Sequence, residues 1–470
     1  MQEIVKSFPD FSGKFGDKRI DKKALEVLRT LTRVRNSSIR QVTQTDAEQK
    51  SFYRLFNNDS FSEEKIKESI VERCGELSFG RHLLCIQDTT EFNLTNQIGR
   101  IKPNTGLGKT TKEGILGFMM HSCIVIDSVN ESALGYSHIK LWDRPEETLN
   151  RHHRNYKKLA ITEKESNKWL EASNASKKLL SKASSITIIT DREGDIYDLL
   201  SSIPDERTNL IIRSSTDRKI QGGENLSEHL KKKEEGFNYQ LKIRGDVRKK
   251  IEKRTVEMVL KWSKISILKP SSCMDKSLPK QKELYVVEAK EQGKEKGVYW
   301  RILTTHAITN SSEAVQIIEW YKQRWYIEQV HRLLKTEGFR IEKTQLEKGW
   351  AIRKLTLLAM MAVLRILQMM IAYEDDNEQA IEDMFGQDEQ QCLQMINEKV
   401  QGETEKLKNK NKPNTVKWAA WIIARLGGWK GYHLSRKPGP IVFQKGLVKF
   451  YNMYEGWMMF KNNYDFVSTQ

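Results

Sequence analysis

The chain reads as an α/β protein: a mixed sheet core, an antiparallel β insertion, and helical regions at both ends. Three observations predict this. Residues 80–213 run as strand, strand, strand, helix, strand, helix, strand, with β-branched and aromatic stretches between turn signals. Residues 216–300 alternate apolar and polar side chains, the period of half-buried strands. The two ends read as helical and amphipathic instead. The predicted domains are therefore a helical one over 1–75, a core over 76–373 interrupted at 216–300, and a helical one over 374–470. A length of 470 residues fits about three domains.

In the N-terminal part, GDKRIDKKALEVLRTL opens with a turn and continues as an amphipathic helix rich in Lys and Arg. KSFYRLFNN then sets two aromatics around Arg54. A basic helical lobe of this kind is either a solvated subdomain or a surface for a DNA backbone; no clean helix-turn-helix pattern is present. HLLCIQDTTEFNL is a predicted strand with Asp88 near its middle or end. HSCIVIDSV and SALGYSHIKLW follow as the rest of a three-stranded meander. A helical pattern over 163–182 leads to SSITIITDREGDIYDLL, an apolar strand at 185–190 that runs directly into Asp191 and then a helix. NLIIR, 209–213, is the next strand. Functional groups of open α/β sheets collect at the carboxyl ends of strands. Asp88 and Asp191 meet there if their strands are neighbours; taken singly, each also reads as a turn or cap residue.

The insertion carries the charge runs KKKEE and RGDVRKKIEKR and the alternating segments RTVEMVLKWSKISIL, KELYVVEAKE and VYWRILTT. Its cations are a candidate DNA-facing surface or plain solvated charge. Trp300 is a candidate platform for an unpaired base, or a buried strand tryptophan. GWAIRKLTLLAMMAVLRILQMMIAY is an apolar core helix whose methionines are packing material. Residues 374–415 change from acidic to basic, as a linker or a helical arm ending at Pro413. WAAWIIARLGGW and GLVKFYNMYEGWMMF are amphipathic and rich in tryptophan, and imply a protein partner such as a second copy of the chain.

The stretch 310–338, NSSEAVQIIEWYKQRWYIEQVHRLLKTEG, reads as one helix. Asn310 with Glu313 is a capping box, and Gly338 is the stop. At about 100° per residue, Tyr321, Arg324, Glu328 and Lys335 fall within an arc of about 60°, with His331 close to it. One reading is a solvated face, with Arg324 and Glu328 paired at i,i+4. The other is a carboxylate held among cations and a phenol, a metal ligand beside a phosphodiester. That reading needs further carboxylates, and Asp88 and Asp191 are the candidates.

Lys and Arg total 79 against 62 Asp and Glu, a net charge of +17. Such an excess favours a polyanionic partner. No apolar run approaches the ~20 residues of a membrane span, and the N-terminus is no signal peptide, so nucleic acid is the predicted partner and no membrane is expected. The 5 cysteines include no CxxC pair, which fits a reducing cytoplasm and argues against a zinc knuckle. His152 and His153 are adjacent histidines, without an HExxH motif. A hard ion held by carboxylates is the remaining metal option.

Asp88 on a first strand, Asp191 ending a fourth and Glu328 on a late helix resemble the layout of a ribonuclease-H-like core with a DDE triad. Tyr321, Arg324, Glu328 and Lys335 match the Y-(2)-R-(3)-E-(6)-K box of the DDE transposases of bacterial insertion sequences, and the chain resembles relatives of the transposon-five transposase. QDTT at Asp88, TDREGDI at Asp191, YWRILTT, GDKR, YRLF, KWAAWIIARLGG and EGW are further matches. The resemblance implies Asp88, Asp191 and Glu328 as catalytic ligands of two Mg²⁺ or Mn²⁺ ions. It implies Tyr321, Arg324 and Lys335 as contacts to transposon-end DNA, with His331 beside them. Trp300 matches the residue that stacks a flipped base during hairpin formation, and Arg213 an arginine near that base. The activity implied is cut-and-paste transposition of double-stranded DNA, from inverted-repeat ends into target DNA. The N-terminal lobe would bind the ends, and the C-terminal helices would make a homodimer in the DNA complex. A bacterial cytoplasmic protein, nucleoid-associated when bound to DNA, is expected. A nuclease of the same core without strand transfer, or an inactive DNA-binding inhibitor of transposition, are the alternatives.

Overall fold

In the computed structural model of the chain, the β-branched and alternating segments become ten strands among the described residues. They are β1 (His82–Asn93), β2 (Gly108–Lys109), β3 (Leu116–Asp127), β4 (Ala133–Trp142), β5 (Ser185–Thr190), β6 (Thr208–Arg213), β7 (Phe237–Ile243), β8 (Arg254–Leu268), β9 (Gln281–Glu291) and β10 (Tyr299–Thr304). The structure describes residues 8–34, 36–111, 114–144, 159–233, 236–243, 254–294, 297–336, 338–374, 379–431 and 437–467. His152, His153, the acidic end of KKKEE and most of RGDVRKKIEKR lie outside the described residues. The chain divides into two compact units. The first comprises Met1–Phe79, Thr89–Thr148 and Tyr326–Gln470, and the second Gly80–Asp88 and Leu149–Trp325.

The second unit is built on a mixed sheet in the order β1, β5, β6, β10, β9, β8, β7. The start of β1, β5 and β6 are parallel neighbours. Both faces of such strands are covered, which is why SITIIT and NLIIR are nearly continuous apolar runs; Ile186, Ile188, Ile189, Leu210, Ile211 and Ile212 are all buried. The antiparallel insertion continues this sheet, because β10 returns beside β6 with Leu303 opposite Ile212. The helix expected over 163–182 is Asn167–Leu179. It starts late because residues 161–163 close a tighter turn, in which Glu163 accepts the Ala160 N–H at 2.9 Å.

The helix Ser311–Lys322 is seated on this sheet by a histidine pair. The Thr187 hydroxyl lies 2.9 Å from Nε2 of both His82 and His306. The Trp320 ring packs on both imidazoles, with centroids at 4.9 and 5.1 Å. Burial, and then the neighbouring His82, push the His306 pKa down to about 4. The unfolded chain therefore binds a proton at His306 that the folded one refuses, between the ordinary value near 6.5 and about 4. Stability should be full above pH 6.5 and fall by on the order of 3 kcal/mol as the pH drops to 4. Urea melts of wild type and His306→Gln across that range check this; equal slopes in the two proteins would refute it.

In the first unit, β3 and β4 pair antiparallel. The end of β1 is tied to β3 through Leu94 N–H to Leu116 O and Thr89 Oγ1 to His121 Nδ1. Helices Lys18–Val34, Asp46–Phe56 and Glu63–Glu76 form the basic N-terminal lobe. The GKFGD turn there is fixed by Asp21, whose carboxylate accepts the Gly13 and Phe15 N–H groups. The lobe packs on the helix Gly349–Glu374. Contrary to the sequence reading, this helix is long and apolar enough to cross a membrane. It is a core helix, with its apolar window wholly buried. Its two polar interruptions are absorbed locally: Gln368 donates to Ala133 O, and Arg365 donates to Met384 O between the rings of Phe385 and Tyr451.

The polar stretch after it contains the helix Gln387–Val400, whose Cys392, Leu393 and Ile396 are buried. The tryptophan-rich helix Val416–Leu426 is buried almost all round, so its apolar face is used within the unit. The exposed apolar side chains Met453, Met459 and Phe460 lie further on, along the helix Pro440–Val467.

Candidate active site

The register of β1 against β5 sets the site. Ile86 pairs with Ile189. Asp88 and Asp191 each lie two residues beyond this last pair, Asp88 within β1 and Asp191 just past the end of β5, so the register brings the two acids to corresponding positions on parallel neighbours about 4.8 Å apart. The condition attached to these two acids in the sequence is thus met within the second unit.

Asp191 is also a cap. Its Oδ1 accepts the Glu193 N–H at 2.8 Å and opens the short 3₁₀ turn Arg192–Gly194. The turn folds back so tightly that a Cβ at Gly194 would stand 2.2 Å from Thr190 Oγ1. The cap and the functional reading are compatible, because one oxygen makes the cap and the carboxylate has two.

The helix predicted over 310–338 is broken in two, Ser311–Lys322 and Trp325–Lys335. Its start is as expected, with Asn310 accepting the Glu313 N–H at 3.0 Å, although Glu313 reaches back to the Thr309 N–H rather than to that of Asn310. At the break, Gln323 and Arg324 donate to the carbonyls of Trp320 and Tyr321, three residues back rather than four. No glycine or proline marks this position. Tertiary packing accounts for it: Gln323 is buried, and Tyr321 is turned in against Trp300. A single helical wheel across Tyr321, Arg324, Glu328 and Lys335 is therefore incorrect.

In the second unit this geometry gathers six of the predicted residues. The Arg324 guanidinium lies 3.5 Å from the Asp88 carboxylate. Tyr321 is 4% exposed and meets the Trp300 ring edge-on at 5.8 Å. Burial raises the Tyr321 phenol above its ordinary pKa; nearby Arg324 and Arg213 oppose the rise, and Asp191 adds to it. Trp300 is half-buried on β10. Arg213 ends β6 and donates to Tyr299 O at 3.2 Å. A partly exposed pair of carboxylates is thus bordered by two guanidiniums, a phenol and an indole.

The other three predicted residues belong to the first unit, on Trp325–Lys335. Tyr326, Ile327, Val330, Leu333 and Leu334 bury one side of this helix, and His331 is buried with them. Glu328 and Lys335 are half-buried and lie seven residues apart, two turns, on one face. Lys335 stands 5.5 Å from the Phe92 ring. With Arg340, Lys343, Glu342, Asn93 and Asn96 it lines a cavity of about 330 Å³.

Asp88 and Asp191 are oxygen donors of the type a hard divalent ion takes, the first in the middle of β1 and the second just past the end of β5. Among the described residues, no three His, Cys, Asp or Glu side chains are grouped to hold a metal ion. Of the three acids predicted as ligands, Asp88 and Asp191 belong to the second unit and Glu328 to the first.

One residue of the motif TDREGDI escaped the sequence reading. The Asp195 carboxylate accepts the Ser215 N–H at 2.8 Å and the Arg218 Nε–H at 2.9 Å, and its side chain is wholly inaccessible. The only signal was a second aspartate four residues after Asp191; its partners lie 20 and 23 residues away.

Comparison with known proteins places names beside this geometry. Residues 177–365 match the family model of the transposase DDE domain. Residues 12–61 match the model of the transposase DNA-binding domain. The first match contains Asp191 and Glu328, and the second covers the first part of the N-terminal lobe, from the turn held by Asp21 through the helix Asp46–Phe56. A cryo-EM structure of the piggyBac transposase synaptic complex with hairpin DNA is similar at 12% identity, over 76% of this chain and 72% of that one, with a TM-score of 0.36.

Proposed function

With a transposase DDE domain behind a transposase DNA-binding domain, the chain has the make-up of a DNA transposase, and we propose that it works by cut and paste. It cleaves element ends through a hairpin and joins the freed 3′ ends to target DNA. The observation that carries this reading is the placement of Asp88 and Asp191 two residues beyond the Ile86–Ile189 pair of parallel neighbours, with Arg324, Arg213, Tyr321 and Trp300 beside them. Asp88, Asp191 and Glu328 would hold Mg²⁺ or Mn²⁺, as the resemblance implies. Two such ions activate an oxygen nucleophile and stabilise the leaving oxygen of an in-line displacement.

The protein's own groups divide the remaining work. Arg324 offsets the charge of Asp88 and stays within reach of a phosphate. Tyr321 keeps its proton and is a hydrogen-bond donor to a backbone oxygen. Trp300 has a half-open ring on which an extruded base stacks, a contact worth about 1–3 kcal/mol. Arg213 reaches toward that base, while Lys335 extends the contacts along the end DNA; His331, buried with the apolar side of its helix, supports that helix instead. The basic N-terminal lobe binds the end sequence. The exposed apolar side chains of the last helix are the surface for a homodimer in the complex, in a bacterial cytoplasm, with the protein nucleoid-associated when bound to DNA.

The test is incubation with the flanking inverted repeats and Mg²⁺, read on a denaturing gel. A nick at the element end followed by a hairpin is expected; nicking without joining to target would leave only a nuclease. Binding of the same ends should weaken steeply with salt, about a thousandfold or more between 50 and 200 mM, as phosphate contacts release counterions. A flat salt titration by gel shift would remove phosphate contacts as the source of affinity.

A further inference from the structure

Asp195 joins two parts of the site that are far apart in sequence. On one side it belongs to the turn of Asp191. On the other it holds the loop that follows Arg213. Its Oδ2 accepts the Ser215 N–H at 2.8 Å and the Ser215 hydroxyl at 3.1 Å, and its Oδ1 accepts Arg218 Nε–H at 2.9 Å. Arg218 also donates to the Asp195 carbonyl at 2.8 Å. The same loop is stitched to the strand that carries Trp300. Ser214 N–H donates to Arg301 O at 2.8 Å, and Arg301 Nη1 donates to Asp217 Oδ1 at 3.1 Å. A fully buried carboxylate with this many donors costs a great deal to leave unmatched. It fixes where residues 213–218 stand relative to the Asp191 turn.

The two sides do not depend on Asp195 equally. The Asp191 turn has its own supports: the Asp191–Glu193 cap, Gly194 N–H to Asp191 O, and the close seat of Gly194 on Thr190. Among the described contacts, the loop beyond Arg213 is held to that turn through the Asp195 carboxylate and carbonyl.

We propose that Asp195 is a positioning residue for the Arg213–Trp300 side of the site, so that its loss impairs capture of the extruded base more than the first cut. This rests on the transposase reading above. The experiment compares wild type, Asp195→Asn and Arg218→Gln on end DNA with Mg²⁺, following nick and hairpin separately, with amide hydrogen exchange on the free proteins. A misplacement of this kind costs a step about tenfold or more. Hairpin formation should therefore fall by about tenfold or more in both variants while nicking stays within about threefold. Exchange should rise at 213–218 and 299–301 and stay unchanged at 185–194.

Equal loss of nick and hairpin, with exchange raised throughout the second unit, would make Asp195 a general stabiliser and overturn the proposal. So would unchanged hairpin yield. A wild type that cuts nothing would sink the transposase reading instead, and the exchange data alone would then decide whether Asp195 fixes this loop.

Discussion

Asp191→Asn should bind end DNA as tightly as wild type and cut it on the order of a thousandfold more slowly, or worse. The substitution isolates charge from structure. Asp191 Oδ1 accepts the Glu193 N–H, and the amide oxygen of Asn accepts that bond equally well, so the 3₁₀ turn keeps its cap. The strand behind it is anchored by buried Ile186, Ile188 and Ile189, which the change does not touch. What disappears is one anionic oxygen beside Asp88. Gel shift and thermal melts establish that binding and folding survive, and a Mg²⁺-dependent cleavage assay reads the loss. If Asp191→Asn cuts like wild type, Asp191 is a cap and nothing more, and the chemistry lies elsewhere. Asp88→Asn is a less clean probe, because it also removes the charge facing Arg324 at 3.5 Å.

The strand ends were readable in the sequence for a local reason. A β-branched run such as SITIIT stops at TDREGD, and the change from apolar to charged marks both the end of the strand and the start of the turn. The alternation of β8, β9 and β10 was readable for the same reason, since the period of two is local. Which strands are neighbours is a long-range property. That Asp88 and Asp191 fall at corresponding positions depends on β1 pairing with residues 103 positions later in the chain, and here the sequence supports only a condition.

The break at Gln323 left no local trace. Every residue around it is a fair helix former, and the packing of Tyr321 against Trp300 overrides propensity. Asp195 escaped notice because its partners come from the loop after another strand. Arg365 misled in the opposite direction. A cation inside an apolar helix reads as an interruption, yet here it is 3% exposed, with a carbonyl, three aromatic rings and the Glu389 carboxylate at 3.6 Å to receive it.

Glu328→Ala carries the second large effect and bears on the acid that the second unit does not contain. The helix Trp325–Lys335 is anchored by Tyr326, Ile327, Val330, Leu333 and Leu334, all buried. Glu328 is half-buried on another side. Alanine is at least as good a helix former as glutamate, so folding should be nearly unchanged, with a shift in melting temperature of no more than about 3 °C. End binding should stay within a few-fold, since removing a carboxylate near phosphates relieves repulsion. Mg²⁺-dependent cleavage should fall on the order of a thousandfold or more. Carboxylates that serve one metal site act as a unit, so the double variant Asp191→Asn/Glu328→Ala should be no slower than either single one. Multiplicative losses would mean that the two acids act at separate sites. Wild-type cutting by Glu328→Ala would place the third ligand outside the Tyr321, Arg324, Glu328 and Lys335 pattern, and the resemblance would then fail at its central residue.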